Sequence, residues 1–269
     1  MKNAGPPEAA LWRFLAAGAV GGMMSGMFGV GGGIVMVPLL IWLGRLDQRH
    51  ASATSLLAIV PTALAGAAAY GLRGHLEIGP AAAVAAGGMA GAWLGARALR
   101  KIKLSVLNWA FVGLIAATAI SMVFYTPQRA AAVGLSVGAW LGLVGLGLVM
   151  GLAAGLFGIG GGVIAVPALM ALFGFGDLAA RGTSLLVMAP SAVAGSVTNW
   201  RGGLVQWRLA LAAGLTATAA SFGGSALAFL VPPQAGNWMF AGLLAASAMQ
   251  LARRAARSKG QAGGRPPGG

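Results

Sequence analysis

The stretch GMFGVGGGIVMVPLL, residues 26–40, decides how this chain is read. Glycines at 29, 31, 32 and 33 interrupt an apolar run that would otherwise continue as one helix. A glycine inside a helix costs roughly 1 kcal/mol relative to alanine, so a cluster of them marks a deliberate break. Residues 155–169, GLFGIGGGVIAVPAL, make the same break again. Behind each cluster the apolar run is short, Ile34–Leu43 and Val163–Phe173. Ten helical residues rise about 15 Å, half of a hydrocarbon core of roughly 30 Å.

The surroundings of these two stretches are those of a membrane. The chain has 269 residues, 58% hydrophobic and only 8% charged, with a mean hydropathy of +0.83. Soluble domains carry about 25% charged residues. Apolar runs recur from Leu11 to Met249, with short charged clusters between them, the pattern of a polytopic helical membrane protein. The run from Leu11 is the first of many and reads as a membrane segment rather than a cleaved signal peptide. A net charge of +14 would point to nucleic acid in a soluble chain. Here the cations lie between apolar runs, where they set topology, and no nucleic-acid partner is expected. The sequence has no cysteine, which excludes disulfides, thiolate metal sites and cysteine nucleophiles.

A shift of 129 residues, which sets Gly31 on Gly160, aligns the chain with itself without a gap. Between Gly26 and Gly74 roughly 20 of 49 positions are identical, a duplication signal. The matches include Phe28/Phe157, Pro38/Pro167, Thr54/Thr183, Ser55/Ser184, Pro61/Pro190 and Gly66/Gly195. The sequence therefore divides into a short N-terminal tail (1–10), repeat 1 (11–125), repeat 2 (131–252) and a basic tail (253–269) rich in Gly and Pro that is expected to be disordered. Each repeat reads as five apolar pieces. In the first these are Leu11–Met27, Ile34–Leu43, Ser52–Leu72, Ile78–Ala98 and Ser105–Phe124. The first two pieces form a hairpin that dips into the membrane and returns, and three full crossings follow.

An odd number of crossings turns the second repeat upside down. With the N-terminus inside, all but three of the 18 Lys and Arg residues fall on the cytoplasmic side; Arg73, Arg129 and Arg181 are the exceptions. A parallel arrangement gives a much weaker split, and positive-inside statistics favour inversion. The basic loop RALRKIK, residues 97–103, aligns with the uncharged ALAFLVP, residues 226–232, as expected for loops on opposite sides. The fold expected is an all-α polytopic membrane protein of two inverted-topology repeats in the bacterial inner membrane, multi-pass, with both termini cytoplasmic.

In that arrangement the two Gly-rich tips enter from opposite faces and meet near the midplane. Each tip opens a half-length helix whose first amides and positive dipole end point inward. Irregular backbone at this depth is tolerated only when it is buried in protein or lines a cavity, and converging helix N-termini suit an anion. The substrate-binding candidates are Gly29, Gly31, Gly32 and Gly33 with Gly158, Gly160, Gly161 and Gly162. Thr54, Ser55, Thr183 and Ser184 join them as hydroxyl donors, although hydroxyls that bond back to their own helix are the commoner case. Close helix packing is the competing account of the glycines; two equivalent clusters, each opening a half-length helix, favour a site. The four acidic residues, Glu8, Asp47, Glu77 and Asp177, fall in loops or tails, as do His50 and His75. Cation carriers and proton relays usually keep a carboxylate within the membrane, so its absence favours an anionic substrate.

Enzyme readings fail on geometry. GVGGGI lacks the Rossmann spacing, has no strand before it and no GK[ST] after it. GFGD at residues 174–177 would need a second aspartate, and the topology puts Asp47 on the opposite face. No catalytic residue, metal or cofactor is expected. The partners expected are a small anion and the lipid bilayer, with self-association left open.

The paired motifs GMFGVGGGIVMVPLL and GLFGIGGGVIAVPAL, each followed by a Thr-Ser pair and a Pro, resemble the sulfite exporter TauE/SafE family, also called the toluene-sulfonate uptake permease family. The likeness spans roughly residues 10–252. It implies a secondary transporter of the bacterial inner membrane that moves sulfite, sulfonates or related organic anions, and it carries over to the tip glycines themselves. An anion channel with the same midplane constriction is the alternative.

Overall fold

The computed structural model describes residues 8–124 and 137–263; among them it has ten helices and no strand. In chain order these are α1 (Glu8–Phe28), α2 (Gly33–Gly44), α3 (Gln48–Gly71), α4 (Ile78–Leu99) and α5 (Leu104–Phe124), then α6 (Val137–Phe157), α7 (Gly162–Phe173), α8 (Asp177–Arg201), α9 (Trp207–Leu230) and α10 (Pro233–Gly263). The two sets of five follow the pieces read from the sequence. Lys2, Arg129 and Arg265, used in the charge count, lie outside the described residues. Five helices, α3, α4, α5, α6 and α9, are long and apolar enough to cross a membrane.

Three details differ from expectation. First, α1 and α6 have 21 residues each, so the first limb of each hairpin is a full-length helix and only the return limb is short. The 12-residue α2 and α7 rise about 18 Å. Second, α8 carries Asp177, Arg181 and Arg201 and is less apolar than a plain crossing. Asp177, read as a loop residue, is its first residue and is fully buried. Third, α10 runs past Arg253 to Gly263, where the sequence suggested a disordered tail. Its stretch ARRAARSKGQ, residues 252–261, is rich in alanine and long unbranched side chains, which lose little freedom in a helix.

Glycine sets how the helices pair. Gly18, Gly22 and Gly26 of α1 bring its backbone onto Ala213, Ala217 and Ser221 of α9. Gly87, Gly91 and Gly95 of α4 do the same against Val144, Leu148 and Leu152 of α6. Residue numbers rise together in both pairs, so each pair is parallel. The i, i+4 series of small residues lets backbones touch where apolar burial gives no drive toward association in lipid. At the centre α3 crosses α8 the other way, with Gly66 against Leu185 and Gly195 against Leu56. Those two helices occupy equivalent places in the repeats and run antiparallel.

Candidate functional site

The Gly-rich stretches form two loops that abut. Gly29, Gly31 and Gly32 have φ of 72°, 73° and 72°, and Gly158, Gly160 and Gly161 have 69°, 75° and 82°. This left-handed region is open to glycine and costly for residues with a Cβ. The loops are equivalent turn for turn. Gly31 and Gly160 both face Met188 and Ile59, which stand at the middle of α8 and α3. Gly33 lies against the Gly158 carbonyl, and Gly162 against Val30 and the Gly29 carbonyl. Residues 29–33 and 158–162 are all buried. The N-caps of α2 and α7 are Gly32 and Gly161, which bring no side chain to the first-turn amides.

The candidate serines gather here too, and all four candidate hydroxyls bond across the molecule, Ser55 Oγ lying also 3.4 Å from the Ser52 carbonyl of its own helix. Ser184 Oγ donates to the Gly29 carbonyl at 2.9 Å, and Ser55 Oγ to the Gly158 carbonyl. Each serine thereby clamps the tip of the other repeat. Thr183 Oγ1 accepts the Glu77 amide, and Thr54 Oγ1 the Gln206 amide, so the threonines anchor the starts of α4 and α9. In this arrangement the serine hydroxyls are committed to tip carbonyls. The eight glycines and two serines form one cluster, while the two threonines face the loops before α4 and α9, and the glycines also serve the packing role that competed with a ligand site: Gly29 lies on the Arg181 backbone and Gly158 on that of Ser52.

Further groups complete the cluster. Phe28 stacks on Phe240 with ring centroids 5.0 Å apart, and Phe157 on Phe111 at 5.1 Å. One pair lies beside each tip, and the pairs are equivalent under the 129-residue shift. Ser52 Oγ donates to the Phe157 carbonyl at 2.9 Å. At the equivalent position Arg181, 5% exposed, donates to the Met27 carbonyl at 2.9 Å and lies 3.7 Å from Asp177. This buried pair corrects the assignment of Asp177 to a loop. A cavity of about 10 Å³, lined by Phe28, Arg181, Asn237 and Phe240 among others, has room for one water. Asn237 donates to the Met122 carbonyl near the end of α5. Asn199 is buried where the first repeat has Tyr70, which donates to the Gly26 carbonyl at 2.8 Å.

Sequence reasoning missed the aromatic pairs and the buried Arg181. The first carried a signal, since Phe28/Phe157 and Phe111/Phe240 both match under the repeat shift. For Arg181 the signal was its alignment with Ser52 inside an otherwise matched segment.

Several curated proteins are similar to the chain. The probable membrane transporter protein YunE of Bacillus subtilis is 31% identical over 227 residues, covering 72% of this chain and 80% of that protein. A probable membrane transporter protein of Xylella fastidiosa (strain 9a5c) is 28% identical over 204 residues, covering 73% and 77%. YdhB of Bacillus subtilis, also a probable membrane transporter protein, is 26% identical over 191 residues, covering 70% and 78%. No solved structure matches. The family model described as Sulfite exporter TauE/SafE matches residues 2–122 and 143–269, and with both Gly-rich tips inside those spans the chain belongs to the sulfite exporter TauE/SafE family.

Proposed function

We propose that the protein is a secondary transporter of a small anion, sulfur-containing in the first instance, working by alternating access between two inverted repeats in the bacterial inner membrane. The observation that carries this reading is the meeting of two equivalent Gly-rich tips at the middle of α3 and α8. Each tip begins a short helix whose first amides lack a side-chain cap. The antiparallel crossing of α3 and α8 supports inversion, as does the charge asymmetry of the loops. The donors at the tips are amides and hydroxyls, which suits an oxyanion. The family description supports a sulfur oxyanion, and the relatives support transport without naming a substrate.

The proposed cycle uses the two aromatic pairs as gates. Parting Phe28 from Phe240 opens one side of the tips, while Phe111 and Phe157 keep the other side closed. The anion then takes the first-turn amides of α2 and α7, and the serines release their tip carbonyls to donate to it. Rocking one repeat against the other exchanges the two gates. Closure at both gates keeps the pathway from leaking.

Counterflow tests the proposal. Proteoliposomes loaded with unlabelled sulfite should transiently accumulate labelled sulfite above equilibrium, and a panel of sulfonates, sulfate, carboxylates and chloride should compete selectively. Saturable uptake without counterflow would favour a channel with the same constriction. Absence of flux for every anion in the panel would overturn the assignment of substrate class.

A further inference from the structure

We infer that the protein carries a binding groove for an anionic phospholipid between the C-terminal halves of α4 and α8. The groove has a volume of about 370 Å³; Trp93 and Arg97 line it from α4 with Arg100 just past the end of that helix, and Ala194, Val197 and Arg201 line it from α8. The helices run parallel here, with Gly88 against Ser191 and Gly195 against Ala92, so the lining falls into two levels. Trp93, Ala194 and Val197 make an apolar upper half, and one turn further on three guanidinium groups make a cationic lower half. Trp93 and Val197 are 43% and 47% exposed on a surface that faces lipid. The guanidinium carbon of Arg97 lies 3.8 Å from the Trp93 ring centroid, a stacking that fixes its direction. Among the described residues none of the three arginines is paired with a carboxylate.

Charge complementarity and polarity gradient choose the occupant. A soluble anion would use only the cationic half, and a neutral lipid only the apolar half. An anionic phospholipid uses both: its phosphate meets the guanidinium fork geometry, and its acyl chain lies along Val197, Ala194 and the indole. The repeat provides an internal comparison. The equivalent positions are Phe222, Ala226 and Phe229 on α9 with Ala65, Ala68 and Leu72 on α3. The equivalent position has one arginine, Arg73, whose guanidinium carbon lies 4.1 Å from the Phe229 ring centroid; the cluster of three occurs only between α4 and α8. This inference does not depend on the transport reading.

The test is native mass spectrometry of the delipidated full chain in detergent, titrated with phosphatidylglycerol or with phosphatidylcholine of the same acyl chains. The parent should retain phosphatidylglycerol preferentially. R97Q/R100Q/R201Q should weaken that retention by roughly a hundredfold, the loss of three cations near a lipid surface. R13Q/R45Q/R208Q removes the same charge from exposed arginines elsewhere and should leave retention unchanged. W93A should weaken it without altering net charge. Both triple variants must elute as single species of parental size; if the groove triple fails this, R201Q alone with W93A decides. Equal loss in both triples would overturn the inference in favour of generic surface charge. Retention of phosphatidylcholine equal to phosphatidylglycerol, or full competition by glycerol phosphate, would overturn it in favour of an apolar cleft or a soluble-anion site.

Discussion

Arg181 stands where the first repeat has Ser52, and Asp177 where it has Gln48. Both arrangements reach a carbonyl at the end of a hairpin's first limb, one with a neutral pair and one with a buried ion pair. Removing one member of a buried pair leaves the other charge in a low-dielectric interior, so R181S should destabilise the protein by about 3 kcal/mol. D177Q/R181S copies the first repeat into the second and should recover most of that loss. Thermal unfolding in detergent reads both, and a double variant no more stable than R181S would contradict the equivalence. Asp47 has the opposite character, being half exposed. Partial burial pushes its carboxyl up, but the His50 amide and ring and the Arg49 charge outweigh this and hold it below its usual value. It caps α3 by accepting the His50 amide at 2.8 Å. D47A should cost about 1 kcal/mol near neutral pH. A carboxyl depressed in the folded state stabilises above its ordinary pKa, and that contribution is lost as pH falls through the depressed value. The gap between parent and D47A should therefore close in acid; a gap constant from neutral to strongly acid pH would show that the cap is not ionic.

At the scale of elements, the tip loops differ from ordinary turns in what presses on them. A Cβ at Gly32 would enter the Gly21 backbone, whereas one at Gly31 would meet the thioether of Met188 and the Ile59 methyl. Side chains can yield and a packed backbone cannot. G31A and G160A should fold, at about 1–2 kcal/mol for the left-handed conformation, and should lose most anion flux in proteoliposomes. G32A should fail to give a monodisperse protein. Parental flux in G31A and G160A would separate the tips from the pathway. The hairpins were legible because glycine and run length act locally, and the short return helices followed from them. The serine clamps were not, because Ser184 and Gly29 lie 155 residues apart and a hydroxyl's partner cannot be read along the chain. The partners of Thr54 and Thr183 were hidden for the same reason: they are loop amides from the other repeat. Nor could Arg181 be seen as buried, since a charge near the start of a helix reads as the end of a membrane segment until α1 and α8 are packed together.

At the scale of the molecule, contacts exchange between the repeats in matched pairs: α1 with α9, α6 with α4, and α3 with α8. This interlocking explains how a chain without disulfides, and with few charged residues, can hold two hairpin tips together. Neither repeat closes without the other's helix, so neither should fold alone. If the repeats are inverted, positions related by the 129-residue shift must lie on opposite faces of the membrane. Lys103 and Pro232 are such a pair; both are exposed, and each sits just before the last helix of its repeat. The chain has no native cysteine, so Lys103→Cys and Pro232→Cys each give a single reactive thiol. In intact inner-membrane vesicles of known orientation, an impermeant maleimide should label one variant and spare the other, and permeabilisation should expose the spared one. Positive-inside bias predicts that Lys103, beside Arg97, Arg100 and Lys101, is the cytoplasmic member. Labelling of both from one side would make the repeats parallel. The tips could not then enter from opposite faces, and the two gates would have to serve a single mouth.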